Sequence, residues 1–196
     1  MGVLYALIRS AVFLDRDGVI NRNRPDHVKS WNEFEFLPGA LEALKRLAGL
    51  GWPVVVVTNQ AAIGRGLVDQ SEVEEIHRRM VDEVRLFGGR IDAVLYCPHR
   101  PDEGCECRKP KLGLLIEASR LLHLDLAASI LVGDAESDLL AARAAGCRPV
   151  MVRTGRGAAQ IEQLRLAEVD DFVAVEDLGG AVEWILSRIP VMSNAS

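Results

Sequence analysis

Asp15 and Asp17 are separated by one residue and followed by Gly18, directly after the apolar run Ala11-Val12-Phe13-Leu14. In an extended strand the side chains at i and i+2 share a face, so both carboxylates would project together where a buried strand empties into a turn. Neighbouring acids repel unless a cation screens them or one keeps its proton, and either arrangement serves nucleophilic or proton-transfer chemistry. Taken alone, the pair is equally well explained as a solvated acidic turn.

A second cluster lies far along the chain. Cys97, His99, Cys105 and Cys107 offer three thiolates and one imidazole within 11 residues, the donor set of a closed tetrahedral zinc site. Four protein ligands leave no open position, so this Zn²⁺ is expected to be structural, pinning a loop with little apolar content of its own. Arg108-Lys109-Pro110-Lys111 follows at once. Held in place by the metal, Lys109 is suited to phosphate oxygens as a point charge and Arg108 to a second oxygen group as a planar fork.

Two further apolar runs end in capable residues. Thr58-Asn59-Gln60 after Val54–Val57 places a hydroxyl, amides and backbone donors at a turn or helix entrance, an environment for oxyanions. Gly133-Asp134 after Ile130–Val132 adds a carboxylate that can complete a hard-cation site with Asp15 and the Asp17 backbone carbonyl, since Mg²⁺ takes oxygen ligands. Asp138, four residues on, is read as a cap or support.

These residues need a frame that gathers strand ends. Short β-branched runs at 12–14, 54–57, 93–96, 130–132, 150–152 and 172–175 alternate with helical-period stretches at 39–50, 71–87, 112–122, 138–145 and 177–189. The pattern predicts an α/β, doubly wound, mostly parallel sheet of Rossmann-like type with helices on both faces. Ligands collect at the carboxyl ends of such strands, which is where the candidate residues fall. Residues 20–37 are too long for a simple connection and are expected to form a flap, with Asn23 and His27 reaching the substrate. Residues 97–111 form the zinc loop. The expected organisation is a single domain over residues 1–190, with no separate cap and a frayed tail at 191–196.

The bulk properties narrow the class. At 49% hydrophobic residues and a net charge of -5, the chain is neither disordered nor a dedicated nucleic-acid binder. No apolar stretch is long enough to span a membrane, Arg9 interrupts the N-terminal segment, and three of the four cysteines are clustered. Together these point to a cytoplasmic protein with no membrane partner.

The ordered set Asp-x-Asp, Thr58, Lys109 and Gly-Asp, each after a separate apolar run over residues 11 to 155, resembles the haloacid dehalogenase superfamily of phosphotransferases. The zinc-loop residues, Phe36-Leu37-Pro38-Gly39-Ala40 and Thr58 through Gly66 make it similar to the branch that holds the heptose bisphosphate and histidinol phosphatases. The resemblance implies a Mg²⁺-dependent phosphatase acting on a small phosphorylated sugar, monomeric, in nucleotide-activated heptose biosynthesis. Asp15 would be the nucleophile and Asp17 the acid and then base; Thr58 and Lys109 would hold phosphoryl oxygens, and Asp15, Asp17 and Asp134 the Mg²⁺. Asn23, His27, Asn59, Gln60 and Arg108 would join Thr58 and Lys109 in binding substrate. Val19 and Ala135 depart from the branch's pattern without removing a catalytic group. Histidinol phosphate is the rival substrate. A phospho-receiver signalling domain and a zinc-binding interaction module are the rival classes.

Overall fold

The computed structural model describes residues 9–188; the tail from 191, expected to fray, lies outside the described residues. Six strands, β1 (Val12–Leu14), β2 (Val54–Asn59), β3 (Ala93–Cys97), β4 (Ile130–Gly133), β5 (Arg148–Val152) and β6 (Val173–Val175), form one sheet in the order β3-β2-β1-β4-β5-β6. Every pairing is parallel.

The central strands are apolar on both faces because both faces are covered. Val12, Leu14, Val54, Val56, Val132 and Val150 look one way, onto α1 (Ala40–Ala48), α3 (Gln70–Leu86) and α7 (Leu178–Arg188). Phe13, Val55, Val57 and Leu131 look the other way, onto α4 (Gly113–Leu122) and α5 (Glu136–Ala145). Met151 extends that second face onto Ile161 and Leu164 of α6 (Gly157–Leu166). A four-residue helix α2 (Ala61–Gly64) follows β2. The doubly wound reading therefore holds, and the sheet is entirely parallel.

Two helices escape a periodicity argument. α2 is a single turn. α6 opens on Gly157 and carries Leu166 at 80% exposure, so its apolar positions do not trace a clean stripe.

The successors of β1 diverge: β2 lies on one side and β4 on the other. Such a switch point leaves a crevice at the carboxyl ends of the strands, here at the ends of β1, β2 and β4. The 20–37 segment lies beside this end and is anchored by its own aromatic core. Trp31 stacks on Phe34 at 4.9 Å, and Phe34 meets Phe36 edge-on at 5.0 Å. Arg79 of α3 sits over the Trp31 ring.

Candidate active site

The turn after β1 is built around Gly18, at φ +92, a region that favours glycine. A Cβ there would stand 2.2 Å from Asp134 Oδ2, and one on Gly155 would stand 2.3 Å from the same oxygen. Asp134 is thus wedged between two glycines, fully buried. Its Oδ2 accepts the Arg156 backbone N–H at 2.8 Å, while Oδ1 makes no hydrogen bond but has the Arg156 guanidinium 3.5 Å away.

Lys109 reaches the same place from the zinc loop. Its buried Nζ donates to Asp15 Oδ1 at 2.8 Å and to the Val57 carbonyl oxygen at 2.7 Å, and is ion-paired with Asp138 Oδ1 at 2.6 Å. Asn59 fixes the Lys109 backbone: its Nδ2 donates to the carbonyl and its Oδ1 accepts the N–H, both at 3.1 Å. The Asn59 amide is therefore committed to Lys109. Asp138, with Oδ2 accepting the Ala135 N–H at 3.1 Å, does more than cap α5; it is a counter-ion of Lys109.

Burial drives the Asp15 carboxyl up to about 7; Lys109 opposes this, and Asp138, Asp134 and Asp17 add to it. Burial also raises Asp134. Burial works against the charge of Lys109, but Asp138 and Asp15 outweigh it and hold the ammonium above its ordinary value. Asp15 and Asp138 share one lysine, and Asp134 is offset, among the described residues, only by Arg156, whose Nη2 lies 3.5 Å from its Oδ1, so the three buried acids are short of positive charge.

Asp17 differs. Burial raises it, yet Arg16 and hydrogen bonds from Arg16, Asn21 and Gln60 prevail and hold it below the usual carboxylate range. Gln60 Nε2 donates to Asp17 Oδ2 at 2.8 Å and to Thr58 Oγ1 at 2.9 Å, tying the two strand ends together.

The donors suit the expected metals. One carboxylate oxygen from each of Asp15, Asp134 and Asp138 lies within 4.8 Å of the others, an all-oxygen set in which Asp134 Oδ1 makes no hydrogen bond, suited to Mg²⁺. The Asp17 carboxylate is outside this group, so its expected metal contact falls to its backbone carbonyl. In the zinc loop, Cys105 Sγ is 3.5 Å from Cys97 Sγ and 3.6 Å from Cys107 Sγ, and His99 Nδ1 is 3.6 and 3.2 Å from Cys97 and Cys107. A tetrahedron with Zn–S bonds of about 2.3 Å has edges of about 3.8 Å, so the four donors fit Zn²⁺, and the sulfurs are too far apart for a disulfide.

Above the acids opens a cavity of about 710 Å³. Asp15, Asp17, Thr58 and Lys109 line it, as do Asn23, His27, Asn59, Gln60 and Arg108. Asp134 lies beneath. Arg65, part of the Thr58-to-Gly66 motif, also lines the cavity, as do Arg22, Arg24 and Arg156, which were not singled out from the sequence. Arg156 follows β5, so the strand-end rule pointed to it; nothing in the local pattern separates Arg22 and Arg24 from ordinary surface arginines.

The comparisons with known proteins agree with this geometry. A family model described as "HAD-hyrolase-like" matches residues 106–181. The chain is 46% identical to the D-glycero-beta-D-manno-heptose-1,7-bisphosphate 7-phosphatase of Pseudomonas aeruginosa over 149 residues, 76% of this chain and 84% of that one. It is 42% identical to the protein of that name from Bordetella bronchiseptica, covering 90% and 98%. The crystal structure of the B. bronchiseptica D,D-heptose 1,7-bisphosphate phosphatase, complexed with magnesium and phosphate, superposes with a TM-score of 0.86 at 41% identity over 92% of this chain and 99% of that one. The chain belongs to the haloacid dehalogenase-like hydrolases, in the family of these heptose bisphosphate phosphatases.

Proposed function

We propose that this chain is a Mg²⁺-dependent phosphatase that removes the 7-phosphate of D-glycero-D-manno-heptose 1,7-bisphosphate, as the β anomer named for its relatives, through an aspartyl phosphate on Asp15. The observation that carries the substrate reading is the charge of the cavity: acids at its floor, and along its walls Arg65 and Arg108, which have no carboxylate ion pair among the described residues, beside Arg22 and Arg24, which are paired with Glu35 and with Asp26 and Glu33. Such a wall complements a second phosphate and opposes the protonated amine of histidinol phosphate.

Lys109, fixed by Asn59 and Asp138, holds its ammonium against the Asp15 carboxylate, where it would meet a phosphoryl group transferred to Asp15. Bound Mg²⁺, held by Asp15, Asp134 and the Asp17 backbone, supplies charge neutralisation for the phosphoryl oxygens. Asp15 attacks phosphorus, forming the acyl phosphate bond as the bond to the sugar oxygen breaks. Asp17 gives that oxygen its proton. In the free protein Asp17 is held ionised by Arg16; the incoming phosphoryl anion raises its affinity for a proton by like-charge repulsion. Asp17 then takes a proton from water, which attacks phosphorus, releasing inorganic phosphate and restoring Asp15. The Thr58 hydroxyl and Arg108 orient the phosphoryl group and the remainder of the substrate.

The same reading makes residues 1–190 one phosphatase domain, monomeric and cytoplasmic, with its thiols reduced around Zn²⁺. The test is turnover on three substrates: the two anomers of the heptose bisphosphate and histidinol phosphate. Highest kcat/KM on the β-heptose bisphosphate supports the assignment; preference for histidinol phosphate overturns it.

A further inference from the structure

Arg16, between the two catalytic acids, is the bulkiest fully buried side chain of the described residues, at 0% exposure. Its Nη2 lies 3.0 Å from Asp17 Oδ1 and 2.9 Å from Oδ2. Its Nη1 lies 2.9 Å from His77 Nε2, and its Nε has no partner. The guanidinium is therefore held from two sides only, by the Asp17 carboxylate in front and the His77 ring behind.

We propose that His77 is a positioning residue for Asp17, acting through Arg16. The inference rests on the acid–base role given to Asp17 above. A ring nitrogen facing an Arg N–H must accept, so His77 is neutral, with its proton on Nδ1. Burial and the Arg16 cation push its pKa down to about 3, in accord with that geometry. Neutrality matters here. A carboxylate behind Arg16 would compete with Asp17 for the cation, and an apolar side chain would leave Nη1 bare and free to turn onto Asp17.

The imidazole is itself fixed. Tyr96 of β3 packs on it at 5.2 Å, and the Tyr96 hydroxyl donates to Glu74 at 2.7 Å, back on the helix that carries His77. Asn21 and Gln60 hold the Asp17 oxygens from other directions. The aim of the acid in a loop after β1 is thus set in part by α3.

The test compares His77→Gln, whose amide oxygen can accept in place of Nε2, with His77→Leu and with His77→Asn, which stays polar but stops short of Arg16. On the heptose bisphosphate, the Gln variant should keep kcat within about threefold, while Leu and Asn lose about 10- to 100-fold in kcat at nearly unchanged KM, part of what a positioned acid supplies. With an aryl phosphate whose leaving group departs without a proton, the burst of phosphorylation should be as fast in the Asn variant as in the wild type. A merely structural role slows both substrates alike and is not rescued by Gln. Wild-type kcat in the Asn and Leu variants, or a burst slowed as much as turnover, overturns the proposal. Asp17→Asn separates the two levels: if it turns over at the wild-type rate, the acid–base role of Asp17 fails and this inference with it; if it is impaired while His77→Asn is not, only the inference fails.

Discussion

Asp138→Asn tests the charge balance of the site. Asp138 attracts Lys109 at 2.6 Å, about 6 kcal/mol at an effective dielectric constant of about 20. Asp15 and Asp134 repel it from no more than 4.8 Å, about 3.5 kcal/mol or more each on the same scale. In metal-free protein the two effects roughly cancel, and the isosteric Asn should cost only the hydrogen bond it cannot keep, about 1–3 kcal/mol. Magnesium changes the sum, because the cation neutralises the repulsion and profits from every negative charge beside it. Losing one should raise the Mg²⁺ Kd at least about tenfold. At a Mg²⁺ concentration about 100 times the wild-type Kd, the metal stabilises wild type by about 2.7 kcal/mol and the variant by about 1.4. For a domain of this size that makes the Mg²⁺-induced rise in Tm about 3–5 °C smaller. Calorimetry with chelator and with Mg²⁺ reads both numbers. A variant that loses more than about 4 kcal/mol in chelator yet shows the full Mg²⁺-induced rise would refute the reasoning and reduce Asp138 to a counter-ion of Lys109.

Other consequences are as direct. Gly155→Ala puts a Cβ 2.3 Å from Asp134 Oδ2 and 2.5 Å from the Gly18 Cα at φ +60; it should cost about 2–4 kcal/mol in urea unfolding and weaken Mg²⁺ in a titration. Asn59→Ala removes both hydrogen bonds to the Lys109 backbone and should lower kcat/KM at least about tenfold, with zinc content unchanged. Cys105→Ser should lose the Zn²⁺, measured by metal analysis, lower Tm and raise KM as Arg108 loosens. His77 sets a pH window: below pH 6.5 the unfolded chain binds a proton that the folded protein, at about 3, refuses. Stability falls by about 1.4 kcal/mol per pH unit from roughly pH 6.5 toward 3, so His77→Gln should gain about 2 kcal/mol on wild type at pH 5 in denaturant melts.

What the sequence showed and what it hid follow from range. Strand ends are local: a β-branched run followed by a polar residue marks Asp15, Thr58 and Asp134, and the parallel sheet brings such ends together by rule. The zinc donors are near neighbours, legible from spacing. Contacts made across the sheet are not. That Asp138 faces Lys109 depends on β4 lying beside β1 and on the path of the zinc loop. Arg16 reads as a polar spacer in Asp-x-Asp, and only the packing of α3 turns it into a buried cation. Asn59, given to the substrate by its place after β2, is committed to the Lys109 backbone because the zinc loop folds back over that strand end.

The most direct measurement of the central claim is a rapid acid quench of enzyme mixed with a stoichiometric amount of heptose bisphosphate and Mg²⁺, followed by mass analysis of the peptide that contains Asp15. The account predicts a phosphoryl adduct on Asp15 that forms before inorganic phosphate appears and is absent in Asp15→Asn, which releases no phosphate. Phosphate release at the wild-type rate by Asp15→Asn, or full turnover with no adduct on Asp15, would contradict it.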